Sequence, residues 1–280
     1  MSNFGDLPSE FSGYESARIA ILPLPFEVSS TWMRGSEKGP EAIIEASANM
    51  ELYDIETGTE PYRRGIFTCQ PVVAPAAPEM VEKTRLRVSE LLDDGKFVVA
   101  LGGEHTVSLG VIKAFHERHP GLSVLHLDAH ADTREEYHGD RLSHACVMAR
   151  VEELTKEIVS VGIRSMDSAE MEGLDPSRVF FAHDIQRRAG WVEDAVRKLT
   201  GEVYVTIDLD VFDPGIMPST GTPEPGGLGW YQVLDLLRAV AREKTVLGFD
   251  VVELCPADNK APDFLAARLI YALLGYRFVK

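Results

Sequence analysis

The stretch V-L-H-L-D-A-H-A-D-T, residues 124–133, decides the fold, because an apolar run of strand length leads directly into acidic and imidazole side chains. Asp128, His130 and Asp132 occupy alternating positions at its end. Side chains two and four positions apart in an extended chain point to one side, so these three would converge if residues 124–132 stay extended. A buried carboxylate is costly unless it is paired or bound to metal. The stretch therefore predicts a buried strand that ends in a metal site.

Apolar runs of strand length alternate with segments of helical period on both sides of this stretch. The predicted strands are 19–24, 97–101, 122–128, 157–162, 203–208 and 246–251, and the predicted helices are 40–54, 78–94, 230–243 and 261–274. Repeated strand-then-helix order is typical of parallel pairing, and strands that are apolar at nearly every position indicate helices on both faces. We expect a single three-layer α/β/α domain over residues 1–280, with a central, mostly parallel sheet and ligands beyond the carboxyl ends of its strands.

Two further predicted strands end in residues that bind metals. Residues 203–208 run into Asp208 and Asp210, and residues 97–101 run into G-G-E-H-T, which presents His105 before a helix that we expect Thr106 to cap. If the three strand ends are neighbours, six metal ligands converge: His105, Asp128, His130, Asp132, Asp208 and Asp210. Four carboxylates balance the charge of two divalent cations, and the oxygen and imidazole donors favour manganese.

Composition narrows the class of protein. A net charge of -16 argues against nucleic acid as a partner and favours a cationic small substrate. The three cysteines are far apart and odd in number, so they indicate neither a disulfide framework nor a zinc-cysteine site. No apolar run approaches the roughly 18 residues of a membrane span, and the first residues lack the pattern of a signal peptide. We expect a cytoplasmic protein without a membrane partner.

The segments that carry candidate metal-binding and catalytic side chains follow one another in a characteristic order. They are G-G-E-H-T (102–106), D-A-H-A-D (128–132), S-H-A (143–145), D-L-D-V-F-D-P (208–214), G-T-P-E-P-G-G (221–227) and D-V-V-E-L (250–254). In these segments, and in P-F-E (25–27) with G-P-E-A-I-I-E-A-S (39–47), the chain resembles the ureohydrolase family, which includes the arginases and agmatinases. The likeness covers nearly the whole chain.

The resemblance implies a role for individual residues. It implies two manganese ions, held by the six ligands above, that activate a water for attack on a guanidinium carbon, with urea and an amine as products. The family's acid/base histidine falls on His144, its guanidinium-holding carboxylate on Glu253, and a hydroxyl near the reacting centre on Thr222. His126 is expected to support the ligands rather than bind metal. Homotrimers or homohexamers are also implied.

The segment after the D-A-H-A-D motif bears on the substrate. It reads T-R-E-E-Y-H-G-D-R-L-S (133–143) and does not show the arginase pattern of small hydroxyl and amide residues, so the chain resembles agmatinases more closely. An acidic rim of Glu135, Glu136 or Glu224 would attract the terminal ammonium of agmatine, whose products would be putrescine and urea.

Other substrates and other classes of protein stay open at this point. Arg134 or Arg141 would suit a carboxylated guanidine such as guanidinobutyrate, aminopropylagmatine would suit the same acidic rim, and arginine is a further guanidine. A two-metal phosphoesterase also uses clustered histidines and aspartates, although the glycine-rich segments here lack a P-loop lysine. A non-catalytic protein that binds metal or a guanidine would have no need of a proton-transfer histidine.

Overall fold

The computed structural model describes residues 3–278, whose strands form one eight-stranded sheet. The strands are β1 (Ile19–Leu24), β2 (Ile66–Thr68), β3 (Phe97–Gly102), β4 (Ser123–Leu127), β5 (Ile158–Ile163), β6 (Val179–Phe181), β7 (Glu202–Asp208) and β8 (Thr245–Val252). Their order across the sheet is β2-β1-β3-β8-β7-β4-β5-β6, and every pair of neighbours is parallel. The predicted central sheet is confirmed, and it is wholly rather than mostly parallel.

Helices lie on both faces of the sheet. They are α1 (Ser9–Ser12), α2 (Gly39–Ser47), α3 (Ala77–Asp93), α4 (Val107–Arg118), α5 (Val147–Glu152), α6 (Ser168–Gly173), α7 (Ala182–Ile185), α8 (Trp191–Lys198), α9 (Trp230–Glu243) and α10 (Ala261–Phe278). Within residues 3–278, none of them is long and apolar enough to cross a membrane.

Alternating residues of β1 enter two separate cores. Ile19 and Ile21 of β1 pack with α2, α9 and α10, whereas Ala20 and Leu22 pack on the opposite face with α3 and α4. All six residues of β1 are buried, so a slip of one position would exchange the two sets of side chains between cores. The predicted three-layer α/β/α fold is confirmed.

Three predicted helix features are corrected. The helix expected over 40–54 ends at Ser47, since the chain then turns and Asp54 accepts a hydrogen bond from the backbone N–H of Thr57 at 2.8 Å. The last helix continues beyond residue 274 to Phe278. Thr106 does not cap α4, because its backbone is already helical and its hydroxyl donates to Glu104 Oε1 at 2.9 Å.

Two short strands escaped prediction. β2 and β6 have three residues each and form the two edges of the sheet. An edge strand gains hydrogen bonds from one neighbour only, and a segment of three residues has no recognisable period. Tertiary pairing with β1 and β5 therefore defines them.

The register of the strands brings the predicted ligands together at the carboxyl ends of the central strands. The four central strands are β3, β8, β7 and β4, with Asp208 opposite Val252 and Leu127 opposite Ile207. The residues that directly follow these strands consequently meet above the middle of the sheet. The turn after β3 needs glycine, because a Cβ on Gly103 would collide with the carbonyl oxygen of Phe26.

Candidate active site

One half of the predicted ligand cluster surrounds the imidazole of His105. Its Nδ1 atom lies 3.1 Å from Oδ2 of Asp128, 3.3 Å from Oδ2 of Asp132 and 3.6 Å from Oδ2 of Asp208. His105 and Asp128 are almost completely buried. Three carboxylate oxygens and one imidazole nitrogen thus face a common point.

The other half surrounds His130. Its Nδ1 atom lies 2.8 Å from Oδ2 of Asp210 and 3.7 Å from Oδ1 of Asp128. Asp128 contributes one oxygen to each half, so the two groups are adjacent and share this carboxylate. The structure therefore brings all six predicted ligands together, in an arrangement with room for two neighbouring cations.

The hydrogen bonds of His105 fit metal binding. Its Nε2 atom lies 2.9 Å from the hydroxyl of Thr206, which itself donates to Oδ1 of Asp250 at 2.7 Å. The threonine oxygen must then accept the Nε2 proton, which leaves Nδ1 with a free lone pair. Nδ1 is buried and forms no hydrogen bond in the described part of the chain, since an unprotonated nitrogen cannot donate to the carboxylate oxygens around it. Such an orphaned nitrogen among carboxylates suits a divalent ion.

His126 lies near these ligands and has no free nitrogen. Its Nε2 atom is 2.9 Å from Oδ2 of Asp128, and its Nδ1 atom is 3.1 Å from the hydroxyl of Ser160. The ring is completely buried. Its geometry is that of a residue that orients Asp128, in keeping with its expected supporting role.

The ligands converge by a route that differs from the expected one. β4 ends at Leu127, and Asp132 has a left-handed backbone with φ 55°. Asp210 likewise lies in a single 3-10 turn, where its N–H donates to Oδ1 of Asp208 at 2.8 Å. The expectation of an extended chain over 124–132 was wrong. Turns, one of them in a costly conformation for a residue with a Cβ, bring the side chains together instead.

The charges of the cluster are mutually repulsive without a cation. Burial, together with the carboxylates of Asp210 and Asp128, raises the pKa of Asp208 well above its usual range. Burial opposes protonation of His130, but the Asp210 and Asp128 carboxylates outweigh it and raise its pKa to about 12. Protons would therefore occupy positions that divalent ions can take.

A cleft of about 290 Å³ opens directly above the ligand cluster. Of the residues predicted to handle substrate, His144, Glu253, Thr222 and Glu224 line it. Glu253 is buried, has a left-handed backbone with φ 66°, and accepts the His105 backbone N–H on Oε1 at 2.6 Å. Glu224 lies near the opposite half, with Oε1 4.0 Å from Nε2 of His130.

The other two members of the expected acidic rim are not part of the cleft lining. Glu135 points away and pairs with Arg150 at 2.6 Å and with Arg141 at 2.7 Å. Glu136 is exposed and also lies outside the lining. The segment 133–143 turns back on itself, with Tyr137 and Asp140 exchanging backbone hydrogen bonds, and this turn directs its acids to the surface. The structure therefore does not bring this pair of glutamates to the cleft.

Several supporting residues were assigned no role from the sequence. Arg164 follows β5 and donates to the carbonyl oxygens of Asp210 at 2.7 Å and Glu224 at 2.8 Å, so it ties a ligand loop to the cleft wall. Thr206 and Asp250 lie inside apolar strands. A polar residue facing inward from such a strand is the one signal that could have found them.

A parallel α/β sheet whose central strands present two imidazoles and four carboxylates below a cleft with a histidine and a buried glutamate defines a metal-dependent hydrolase. The sequence profile described as the arginase family matches residues 17–275, and this chain belongs to that family. The predicted ureohydrolase membership is thereby confirmed, as is an enzyme that acts on guanidino carbon–nitrogen bonds. The phosphoesterase and non-catalytic alternatives are wrong.

Individual relatives are similar to this chain over most of their length. The chain is 39% identical over 277 residues to the N(1)-aminopropylagmatine ureohydrolase of Synechocystis sp., covering 95% of this chain and 90% of the relative. It is 35% identical to the agmatinase of Halalkalibacterium halodurans, covering 95% and 94%. The crystal structure of the agmatine ureohydrolase of Thermoplasma volcanium superimposes with a TM-score of 0.89 at 31% identity, covering 99% of this chain and 94% of that one.

Proposed function

We propose that this protein hydrolyses the guanidinium group of agmatine to putrescine and urea, with two manganese ions held by the six clustered ligands. The observation that carries the proposal is the place of Glu253. This buried carboxylate lines the cleft and also contacts the backbone of the ligand His105 at 2.6 Å. A guanidinium group paired with Glu253 would thus have its carbon beside the metal ligands.

The electrostatics of Glu253 suit a cationic group. Burial, with the nearby Glu104 carboxylate, raises the pKa of Glu253 well above its usual range. A guanidinium ion stays charged at any physiological pH and can donate two parallel hydrogen bonds to a carboxylate. Its binding would offset the cost of keeping Glu253 ionised in a buried site.

The remaining residues would complete the hydrolysis. When bound, the two divalent ions supply an activated water and neutralise the carboxylate cluster. His144 lines the same cleft and would donate a proton to the amine nitrogen as its bond to the guanidinium carbon breaks. Thr222 adds a hydroxyl at the cleft wall.

The cleft wall favours an amine over a carboxylate at the far end of the substrate. Among the described residues that line it, Arg134 is the one lysine or arginine. Its guanidinium lies 3.6 Å from Glu170 and 3.7 Å from Asp167, so two acids offset its charge. No lysine or arginine in residues 3–278 forms an ion pair with the carboxylate of Glu224, although Arg164 lies near its backbone, and this carboxylate would attract an ammonium group. Arg141 pairs with acids outside the cleft.

N(1)-aminopropylagmatine is the second candidate substrate. It is favoured by the Synechocystis relative of that name, which is more similar to this chain than the H. halodurans agmatinase is. It has the same guanidinium end and a longer amine, and the cleft wall includes Trp32, whose largely exposed side chain offers apolar surface to a longer chain.

Urea release tests the proposal. Manganese-loaded protein is offered agmatine, N(1)-aminopropylagmatine, guanidinobutyrate and arginine, and kcat/KM is compared with that of Glu253→Gln and His144→Ala. We expect the two amines to be turned over and each variant to lose about 100-fold or more in kcat/KM. Preference for guanidinobutyrate or arginine would contradict agmatine as the proposed substrate. Full activity of Glu253→Gln would contradict the proposed pairing of the guanidinium group with Glu253.

Three further properties remain predictions. We propose a single ureohydrolase domain, a cytoplasmic location and a homotrimer or homohexamer. Light scattering of the purified protein would measure the oligomer directly.

A further inference from the structure

The imidazole of His144 is held through its Nδ1 nitrogen. Its Nδ1 atom lies 2.9 Å from Oγ of Ser29, and the same Oγ accepts the His144 backbone N–H at 2.9 Å. Ser29 Oγ in turn donates to Oε1 of Glu104 at 2.9 Å. These contacts join residues far apart in the sequence into one chain of hydrogen bonds that ends at the cleft.

Glu104 is a completely buried carboxylate whose partners are all neutral. Oε2 accepts the backbone N–H groups of Val28 at 2.9 Å and Ser29 at 2.7 Å, while Oε1 accepts the hydroxyls of Ser29 and Thr106, each at 2.9 Å. No lysine or arginine among residues 3–278 forms an ion pair with it. The Glu104 carboxylate is therefore stabilised by four neutral hydrogen-bond donors and not by a cation.

The hydroxyl of Ser29 has a single proton, and that proton is committed to Glu104. Its oxygen must then accept from both the backbone N–H and the ring Nδ1 of His144, which places a proton on Nδ1. Nε2 is left as the nitrogen that can take up or release a proton. This assignment follows from counting donors and acceptors.

We propose that Ser29 and Glu104 are positioning residues that hold the tautomer and ring orientation of His144 for proton transfer at Nε2. The inference rests on the proposed function, because it assigns His144 as the proton donor. Without Ser29 the ring could turn over or carry its proton on the other nitrogen, and a fraction of molecules would then lack a correctly placed donor.

A purely structural role is the competing explanation, since Glu104 also fixes the backbone of residues 28 and 29. A double-mutant cycle separates the two. Ser29→Ala removes the contact with Nδ1 and leaves the backbone N–H groups free to bind Glu104. Ser143→Ala is the matched control, because its hydroxyl lies 3.4 Å from the same nitrogen and has no bond to Glu104.

For the manganese-loaded enzyme with agmatine, we expect Ser29→Ala to lower kcat about 10-fold or more, with little change in KM or in bound manganese. In a His144→Ala background the same substitution should change kcat less than about 2-fold, because its effect acts through the missing ring. Ser29→Thr, which keeps the hydroxyl, should restore most of kcat. Ser143→Ala should retain nearly full kcat.

An equal loss from Ser29→Ala with and without His144 would overturn the inference, and so would a loss that Ser143→Ala reproduces. These outcomes presuppose an active wild type. Absence of urea from every guanidine with wild-type enzyme would instead overturn the proposed function, and this inference with it.

Discussion

The Nε2 atom of His105 lies 2.9 Å from Oγ1 of Thr206, and this contact decides which imidazole nitrogen faces the carboxylate cluster. Thr206 donates its own proton to Asp250, so it can only accept from the ring. Nδ1 is consequently the nitrogen available to a metal. The hydrogen bond at Nε2 thus fixes the tautomer of His105 and leaves Nδ1 unprotonated.

Loss of this contact should weaken metal binding. Thr206→Val keeps the shape of the side chain but removes the acceptor, and we expect manganese affinity to fall about 10- to 100-fold. Equilibrium dialysis of the metal-free protein measures this directly. Tyr204→Phe is the control, because Tyr204 donates to the other oxygen of Asp250 and does not contact His105. Equal losses in the two variants would mean that general destabilisation, rather than ligand orientation, is responsible.

Removal of metal should lower thermal stability. The four carboxylates at the strand ends repel one another, and ions that bind only the folded state stabilise it by mass action. At a manganese concentration 100 times the Kd, the stabilisation is about 2.7 kcal/mol. Calorimetry should show a lower Tm after chelation and recovery on adding manganese. A Tm that responds to neither treatment would argue against a built metal site.

Glu224 should contribute to binding the amine end of the substrate. Because its carboxylate is partly exposed, we expect Glu224→Gln to raise KM for agmatine only about 2- to 5-fold, with kcat nearly unchanged. Glu135→Gln is a matched control, since Glu135 pairs with Arg141 and Arg150 outside the cleft. An increase in KM from the control, or none from Glu224→Gln, would remove the assignment.

The three cysteines should be inert in the native protein. Burial raises the pKa of Cys69, that of Cys146 to about 11 and that of Cys255 to about 12. A raised pKa means less thiolate at neutral pH, and the thiolate is the reactive form. Titration with a disulfide reagent at pH 8 should detect no thiol until denaturant is added, and three thiols thereafter. Rapid reaction of a thiol in the native protein would contradict this.

Much of the site could be predicted because strand ends carry a local signal. Asp128 and Asp208 each follow an apolar run, and parallel strands bring such ends to one edge. The direction of the Glu135 side chain has no such local signal in the sequence. Whether an acid in a loop faces the cleft or pairs with Arg150 depends on how the loop turns, and alternating charges along the sequence do not record that.

The sequence by itself determined the α/β fold, the positions of the central strands and the six candidate ligand residues at their ends, because each depends on hydrophobic period and on side-chain chemistry within a few residues. Only the tertiary structure decided which nitrogen of His105 is free and that Ser29 and Glu104 hold His144. Those features are hydrogen bonds between residues about 75 to 115 positions apart. Their geometry exists only after the sheet has formed, since the directions of donors and acceptors are set by the packed backbone.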